Sequence, residues 1–275
     1  MKRLKTFLAI AALLALSASC GPEKKAPRML VLYYSQTSNT ETVAQEIASR
    51  LGADMEEIVP VRPYDGDFEA TIARCMQERD EGILPEIQPL EANLADYDVV
   101  FLGYPVWFGT FAPPVAAFLG QASLSGKKVV PFCTFGSGGL NTSVKDLAKK
   151  QPEAVILPGY GVRAARMDAV PAEVDQFLKA NGFIEGEFAQ LDPFPEQHEA
   201  SEEEKAVFDA AVGDYPMIHA QAKSVAQRSI PGGTEYLFTA VPLTREGDPI
   251  PQADEMEVFV TVLEGEAPVF TQVNR

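Results

Sequence analysis

The stretch from Met29 to Leu51 constrains the fold more than any other part of the chain. It opens with an uninterrupted apolar run, Met29 to Tyr34, which predicts a strand buried on both faces. Six polar residues, 35–40, follow directly. After them, apolar residues recur at helical spacing, at Val43, Ala44, Ile47, Ala48 and Leu51. The sequence therefore predicts a strand that passes through a polar turn straight into a helix.

The polar turn carries four hydroxyl side chains and lies where the helix begins. The first turn of a helix leaves backbone N–H groups without partners and carries the positive end of the helix dipole. A phosphate group binds well at such a position. Ordinary capping of the helix by Ser38 or Asn39 would also account for a polar residue there. Capping needs only one such residue, so both interpretations stay open from these residues alone.

Further strands and helices alternate after this unit. Apolar segments predict strands at 53–61, 99–104, 127–134 and 154–157, and helical spacing predicts helices at 66–81, 113–119, 141–150 (with Asn141 as the cap) and 170–181. Five such alternations indicate an α/β domain with a doubly wound parallel sheet and helices on both faces. Ligands of such sheets bind beyond the carboxyl ends of the strands.

Three predicted strand ends have unusual compositions. The first is the hydroxyl-rich turn 35–40, the second is 104–110 with Trp107, the only tryptophan, and the third is the glycine-rich segment 134–139. A phosphate, a flat aromatic ring and close backbone approach are the matching features of a ligand. Dinucleotide and P-loop motifs are absent, and neither histidine lies in this part of the chain. No CxxC pair supports a redox dithiol or a zinc site, so Cys75 and Cys133 are expected to be buried free thiols.

The segments 35–40, 98–109 and 126–138 together resemble the flavodoxin family. The resemblance covers residues 29–183 and implies a five-stranded sheet in the order 2-1-3-4-5 with FMN as cofactor. It also implies the residues that contact FMN: Ser35, Gln36, Thr37, Ser38, Asn39, Thr40, Pro105, Val106, Trp107, Phe108, Gly109, Thr134, Phe135, Gly136, Ser137 and Gly138. One position departs from the family, which commonly has glycine where Ser38 stands. The implied function is electron transfer or NAD(P)H-dependent reduction of a quinone-type acceptor, and the residues do not decide whether the chain is an enzyme.

The N-terminus has the pattern of a secretory signal. A basic start is followed by ten apolar residues, Phe7 to Leu16, and then by small residues up to Cys20. This resembles a bacterial lipoprotein signal, which implies a signal peptide at 1–19, lipidation of Cys20, a tether at 20–28 and attachment at the cell envelope. Plain secretion to the periplasm or beyond is the alternative.

The charge of the chain limits its partners. The formal net charge is −16, and removal of residues 1–19, which carry three bases and no acids, leaves −19. A protein of this charge does not bind nucleic acid through its general field. The resemblance to flavodoxins implies instead a redox partner protein or a small quinone-like acceptor, and the lipoprotein-like signal implies that the membrane is reached through the lipid anchor.

The remaining residues predict a linker, 184–200, and a small α+β domain, 201–275. A capping box, Ser201 to Glu204, opens a helix to about Val212, and Asp214 is expected to restart it to about Gln227. Alternating and apolar runs then predict an antiparallel meander of three strands, at 235–241, 256–262 and 268–273. The segment 225–236 resembles the helix-to-hairpin segment of cystatin-like folds, from which we infer no protease inhibition. A cofactor-free binding module, with this domain docking a partner, is the alternative to an FMN-binding redox protein.

Overall fold

The computed structural model describes residues 26–64, 67–213 and 215–274. The predicted signal peptide, Cys20 and most of the predicted tether lie outside the described residues. Within the described ranges, no helix has both the length and the apolar composition that a membrane crossing requires.

A parallel sheet forms the centre of the first domain. Its strands are β1 (Met29–Tyr33), β2 (Asp54–Glu57), β3 (Val99–Trp107), β5 (Lys128–Phe135), β6 (Val155–Ile156) and β7 (Tyr160–Arg163), with the two-residue β4 (Thr110–Phe111) beside β3. The strand order is β2-β1-β3-β5-β6, and β7 also pairs with β5. Since β6 and β7 together take the fifth position, the predicted order 2-1-3-4-5 is confirmed.

Helices cover both faces of this sheet. They are α1 (Asn39–Leu51), α2 (Phe68–Asp80), α3 (Pro113–Gln121), α4 (Leu140–Lys150) and α5 (Val170–Ala180), with short 3₁₀ turns at Leu94–Asp96 and Ala164–Ala169. Leu30 and Leu32 of β1 pack in one apolar core with side chains of α2, α3 and α4, and Val31 packs in a second core with α1 and α5. Because successive residues of β1 face two different cores, its sequence is apolar without alternation.

Three local predictions in this domain are wrong. Strand β3 does not end at Tyr104 but continues to Trp107, where it forms a hairpin with β4. Phe108 and Gly109 form its two-residue turn, with φ of 50° and 83°, as tight hairpins require. The cap of α4 is Gly139 rather than Asn141. The fifth strand is interrupted at residues 157–159, where Pro158 cannot donate to a ladder.

The C-terminal domain is one helix packed on an antiparallel sheet. Its elements are β8 (His198–Glu199), α6 (Glu202–Val212), β9 (Ala220–Ile230), β10 (Gly233–Pro242), β11 (Met256–Leu263) and β12 (Val269–Asn274), in the sheet order β12-β11-β10-β9-β8. The predicted capping box of Ser201 and Glu204 is present. Phe208 of α6 lies in a core with Phe238 of β10 and Phe270 of β12.

The predicted helical restart up to Gln227 is wrong, because 220–230 is a strand, and the sheet has more strands than the predicted three. The register of β9 against β10 shifts beside Thr239, which leaves Lys223 as an extra residue in a bulge. The bulge reverses the inward and outward positions, so the buried residues are Ala222, Val225 and Ala226. That spacing is the one typical of a helix. The segment resembling a cystatin-like helix and hairpin is therefore a hairpin alone.

The residues between the two domains pack on the outer face of the antiparallel sheet. The ring centroid of Phe194 lies 6.1 Å from that of Phe259, and the Arg228 guanidinium lies 4.3 Å from the Phe194 ring centroid. Arg228 also donates to the carbonyl of Asp192 at 3.0 Å. The predicted linker is thus in contact with the C-terminal sheet for part of its length.

Gly103 gives a test of the packing of the parallel sheet. A Cβ on Gly103 would lie 2.1 Å from Cζ of Phe132, a buried ring on the neighbouring strand. We expect Gly103→Ala to lower the free energy of unfolding by about 1–3 kcal/mol through overpacking. Denaturant unfolding followed by the fluorescence of Trp107, the only tryptophan, measures this domain.

Gly120 provides the matched control, since it lies at the exposed end of α3 and a Cβ there would meet nothing within 4 Å. Gly120→Ala should raise the free energy of unfolding by up to about 1 kcal/mol, from helix propensity. Equal effects of the two substitutions would contradict this account of the packing.

Candidate functional site

The polar turn between β1 and α1 presents a row of unused backbone donors. Among the described residues, the N–H groups of residues 36–40 have no hydrogen-bond partner. The N–H of Glu41 donates to the Ser35 hydroxyl at 3.3 Å, and that of Thr42 donates to the Ser38 carbonyl at 2.9 Å. A set of free donors at the positive end of a helix dipole is suited to an anion.

Ser38 stands at the N-cap position of α1 but does not cap it with its side chain. Its φ is 60°, in the left-handed region, and its hydroxyl makes no capping hydrogen bond. Asn39 donates to the Thr37 hydroxyl at 3.5 Å and likewise does not cap the helix. The capping interpretation therefore has no hydrogen bond to support it, and phosphate binding is favoured. The left-handed conformation also explains why the flavodoxin family commonly has glycine here.

Direct contacts bring the three predicted strand ends together. The hydroxyls of Thr40 and Thr134 lie 2.8 Å apart and both side chains are buried, which links the polar turn to the end of β5. Gly139 lies so close to Val106 that a Cβ on it would be 2.5 Å from Cγ1 of the valine. This contact links the hairpin at 105–109 to the loop after β5. The common edge predicted from the strand order is thus present.

The predicted ring-contacting residues of the second loop differ in exposure. Trp107 is half-buried and packs edge-on against Tyr34 and Tyr64, with ring centroids 5.9 and 5.3 Å away. Pro105 and Val106 are also half-buried, whereas Phe108 is 56% exposed at the hairpin turn with Gly109. The tryptophan is therefore held by two tyrosines and does not project freely into solvent.

Tyr64 and Gln36 form a small network that the sequence did not indicate. The Tyr34 hydroxyl donates to the Gln36 side-chain oxygen at 2.6 Å, and the Gln36 amide donates to the carbonyl of Tyr64. The Tyr64 hydroxyl donates to Glu78 at 2.5 Å, and the Arg74 guanidinium lies 3.8 Å from its ring centroid. This network orients the polar turn and the rings beside it.

The third predicted segment is divided between the core and the surface. Thr134 and Phe135 are buried in β5, whereas Gly136 is exposed and Ser137 and Gly138 are half-buried. Arg163 at the end of β7 donates through Nε to the carbonyl of Gly136 at 2.8 Å. Sequence reasoning missed Arg163, because it lies in no motif that marks a ligand.

Negative charge lies close to the polar turn. Burial raises the pKa of the Glu57 carboxyl, the nearby Glu41 raises it further, and the backbone N–H of Ser35 opposes the shift. Burial, followed by the charges of Glu57 and Glu41, raises the pKa of Tyr33 to about 12. The free donors of the turn therefore lie in an acidic surround.

The two described cysteines are buried free thiols, as predicted. Burial raises the pKa of Cys133, and burial followed by the charge of Glu78 raises that of Cys75 to about 11. Neither thiol is activated as a nucleophile. Among the described residues, no group of three or more His, Cys, Asp or Glu side chains could hold a metal ion.

A separate depression lies away from this edge, on the C-terminal domain. It has a volume of about 660 Å³ and is lined by residues of β8, β9 and α6 together with Gln197 and Val241. None of the three strand-end loops contributes to its lining. The candidate site is thus defined by backbone donors and neighbouring rings.

Ser38 gives a test of the turn that does not depend on a ligand. A left-handed conformation costs a non-glycine residue about 1–2 kcal/mol. Glycine avoids this cost, but it loses about 0.5–1 kcal/mol more backbone entropy on folding. We expect Ser38→Gly to raise the free energy of unfolding by roughly 0.5–1 kcal/mol. The control is Ser49→Gly, at an exposed position inside α1, which should lower it by roughly 0.5 kcal/mol. The same sign for both would contradict the strain at Ser38.

Comparisons with known proteins place this domain. Among solved structures, the chain is similar to a Bacteroides eggerthii protein assigned as a flavoprotein, with 31% sequence identity. The match covers 55% of this chain and 97% of that chain, and its TM-score is 0.48. It is also similar to a flavoprotein in complex with FMN from Lactobacillus acidophilus, at 24% identity, with 50% and 93% covered and a TM-score of 0.44. The family model for Flavodoxin matches residues 28–176, more than half of the 275 residues, and its match ends before the C-terminal domain. The chain therefore belongs to the flavodoxin family.

Proposed function

We propose that this protein is an FMN-binding redox protein of the cell envelope, which carries electrons or reduces a quinone-type acceptor. The observation that supports it most is the row of N–H groups at 36–40, which have no partner among the described residues. A flavodoxin-family domain with such a turn has the anion site that FMN requires. Flavin when bound supplies the redox chemistry, and the protein supplies position and charge.

The residues present fit the phosphate of FMN. Thr37 and Ser38 are exposed at the turn, so their hydroxyls are available to a ligand. Thr40 is buried, and its hydroxyl is shared with Thr134, so it acts by fixing the turn to β5. The backbone N–H groups would bind the phosphate oxygens, with the hydroxyls of Thr37 and Ser38 adding donors.

The two remaining loops would position the flavin ring. Trp107 packs edge-on against two tyrosines, which restrict the motion of its side chain. A flavin ring beside Trp107 would therefore contact a side chain that is fixed in position. Residues 136–138 are two glycines on either side of Ser137, so the backbone of this loop could lie close to a flavin ring. The acidic surround of Glu41 and Glu57 disfavours added negative charge and should lower the potential of a bound flavin.

The envelope location rests on the sequence of the first twenty residues alone. A basic start, a short apolar run and small residues before Cys20 support export followed by lipid attachment. An acidic protein is not drawn to anionic headgroups, so a lipid on Cys20 would supply the attachment. Labelling with radioactive palmitate should mark the full-length chain and not its Cys20→Ser variant.

The direct test of the cofactor is a titration of the purified mature chain with FMN. We expect stoichiometric binding, with quenching of flavin fluorescence and a yellow protein, followed by reduction of the bound flavin by dithionite. NADH and NADPH oxidation with a quinone acceptor then separates a reductase from an electron carrier. A chain that binds no FMN would support the alternative of a cofactor-free binding module.

Thr37 should contribute to the phosphate site. Loss of its hydroxyl in Thr37→Ala should weaken FMN binding by about 1–3 kcal/mol if the bond to the phosphate is charge-assisted. Thr42→Ala is the matched control, because Thr42 is also exposed but its hydroxyl donates to the Ser38 carbonyl within the helix. Equal affinities of the two variants in the FMN titration would exclude Thr37 from the site.

Glu57 should oppose FMN binding above its own pKa. Because folding raises that pKa above the ordinary value of 4.5, the folded state binds more protons, and the ionised form costs stability as the pH rises. Glu57→Gln should therefore raise the free energy of unfolding and tighten FMN binding at pH 7.5. Each effect should be about 0.3–1 kcal/mol, since Glu57 is only partly buried and solvent screens its charge.

The pH dependence separates this effect from a change in packing. Below about pH 3 the carboxyl is protonated in both states, so the difference in stability between Glu57→Gln and the wild type should vanish. Glu153→Gln is the control, because Glu153 is exposed beside the start of β6, at the opposite edge of the sheet. A stability difference for Glu57→Gln that persists unchanged in acid would contradict the electrostatic cause.

A further inference from the structure

The C-terminal domain reaches the flavin-side edge of the parallel sheet through strand β12. The N–H of Val273 donates to the carbonyl of Ser137 at 2.7 Å, and Val273 forms a single parallel β-bridge with Gly138. This places a strand of the second domain against the loop after β5, one of the three loops of the candidate site. Main-chain pairing of this kind fixes a loop in one conformation.

Arg163 also connects the loop 136–138 to strand β12. Its Nε donates to the carbonyl of Gly136 at 2.8 Å, and its Nη1 donates to the carbonyl of Phe270 in β12 at 2.7 Å. The guanidinium carbon lies 4.1 Å from the ring centroid of Phe270 and 4.9 Å from that of Tyr215. One side chain of the flavodoxin domain thus binds both the flavin loop and two rings of the C-terminal domain.

Gly138 is required by this contact, because a Cβ there would meet backbone, and Gly136 leaves room for a side chain of the C-terminal domain. A Cβ on Gly138 would lie 2.0 Å from the Val273 carbonyl oxygen, and a Cβ on Gly136 would lie 2.9 Å from the Tyr215 hydroxyl. Because residues 136 and 138 have no side chain, the C-terminal domain can approach the loop closely. The same two glycines would also let the loop backbone approach a flavin closely.

The contact also determines which groups of the loop remain for a ligand. The carbonyls of Gly136 and Ser137 are engaged by Arg163 and Val273. Within the described residues, the N–H groups of Gly136 and Ser137 have no partner. The docked C-terminal domain thus occupies two carbonyls of the loop and leaves these two N–H donors free within the described residues.

We propose that the C-terminal domain is a structural part of the flavin site: Arg163 is a positioning residue and β12 is the support that holds loop 136–138 in its ligand-binding shape. This inference rests on the proposed function, and it makes FMN binding and docking of the C-terminal domain reciprocal. If docking of the C-terminal domain strengthens FMN binding by some free energy, then FMN binding strengthens docking by the same free energy.

The experiment measures both sides of this coupling in the whole mature chain. Arg163→Ala should weaken FMN binding about tenfold, because the loop loses one of its two ties to β12 and keeps only the bond from the Val273 amide. In the wild type, FMN should slow amide hydrogen exchange in residues 269–274, including the Val273 amide, and in Arg163→Ala this slowing should be lost. Circular dichroism of each variant checks that it is folded.

Two further variants make the test specific. Arg163→Lys keeps the charge but loses the planar guanidinium whose Nε and Nη1 reach the two carbonyls, so it should behave like Arg163→Ala. Arg228→Ala is the matched control, because Arg228 also stacks on a ring, that of Phe194, and pairs with Glu235 inside the C-terminal domain. It does not contact loop 136–138, so FMN affinity and the FMN-dependent slowing of exchange should be unchanged.

The outcomes separate the two proposals. A wild type that binds FMN with no change in exchange at 269–274, or an Arg163→Ala variant that is folded and binds FMN as the wild type does, overturns the coupling and leaves the proposed function standing. A wild type that binds no FMN overturns the proposed function and the coupling with it. If Arg163→Ala is unfolded, Tyr215→Phe takes its place, and it should weaken FMN binding in the same direction.

Discussion

The site depends on backbone N–H groups that have no partner within the described part of the fold. A parallel strand must pass into a helix through a short turn, and the first N–H groups of that helix have no carbonyl to bind. In many proteins a side chain takes this role, but Ser38, in its left-handed conformation, does not. The turn is therefore complete only when something else accepts those hydrogen bonds, and a phosphate group is the ligand best suited to them.

The second constraint is the contact between the domains. The flavodoxin domain has both of its apolar cores without the C-terminal domain, and the C-terminal domain has its own core between α6 and the sheet. The two meet at polar main-chain groups and one arginine, at a loop that is exposed or half-buried. Such an interface adds little to the cores of either domain but determines the shape of the loop.

The sequence predicted the parts of the fold that local patterns determine. Apolar runs such as that of β1 located the buried strands, and the polar turn 35–40 was placed correctly at the start of α1. The hairpin after Trp107 and the strand 220–230 were missed, the latter because a bulge at Lys223 gave a helical spacing. The contact of Arg163 with Phe270 joins residues far apart in the chain, and no local pattern indicates it.

The position of β12 in the chain has a consequence for how the protein matures. Loop 136–138 is synthesised well before residues 269–274, which hold it. The parallel sheet, its helices and the phosphate turn can form first, because all their partners precede residue 181. A chain shortened by its last strand would keep a complete flavodoxin core but lack the support of one flavin loop, so the full affinity for the cofactor arises only at the final stage of folding.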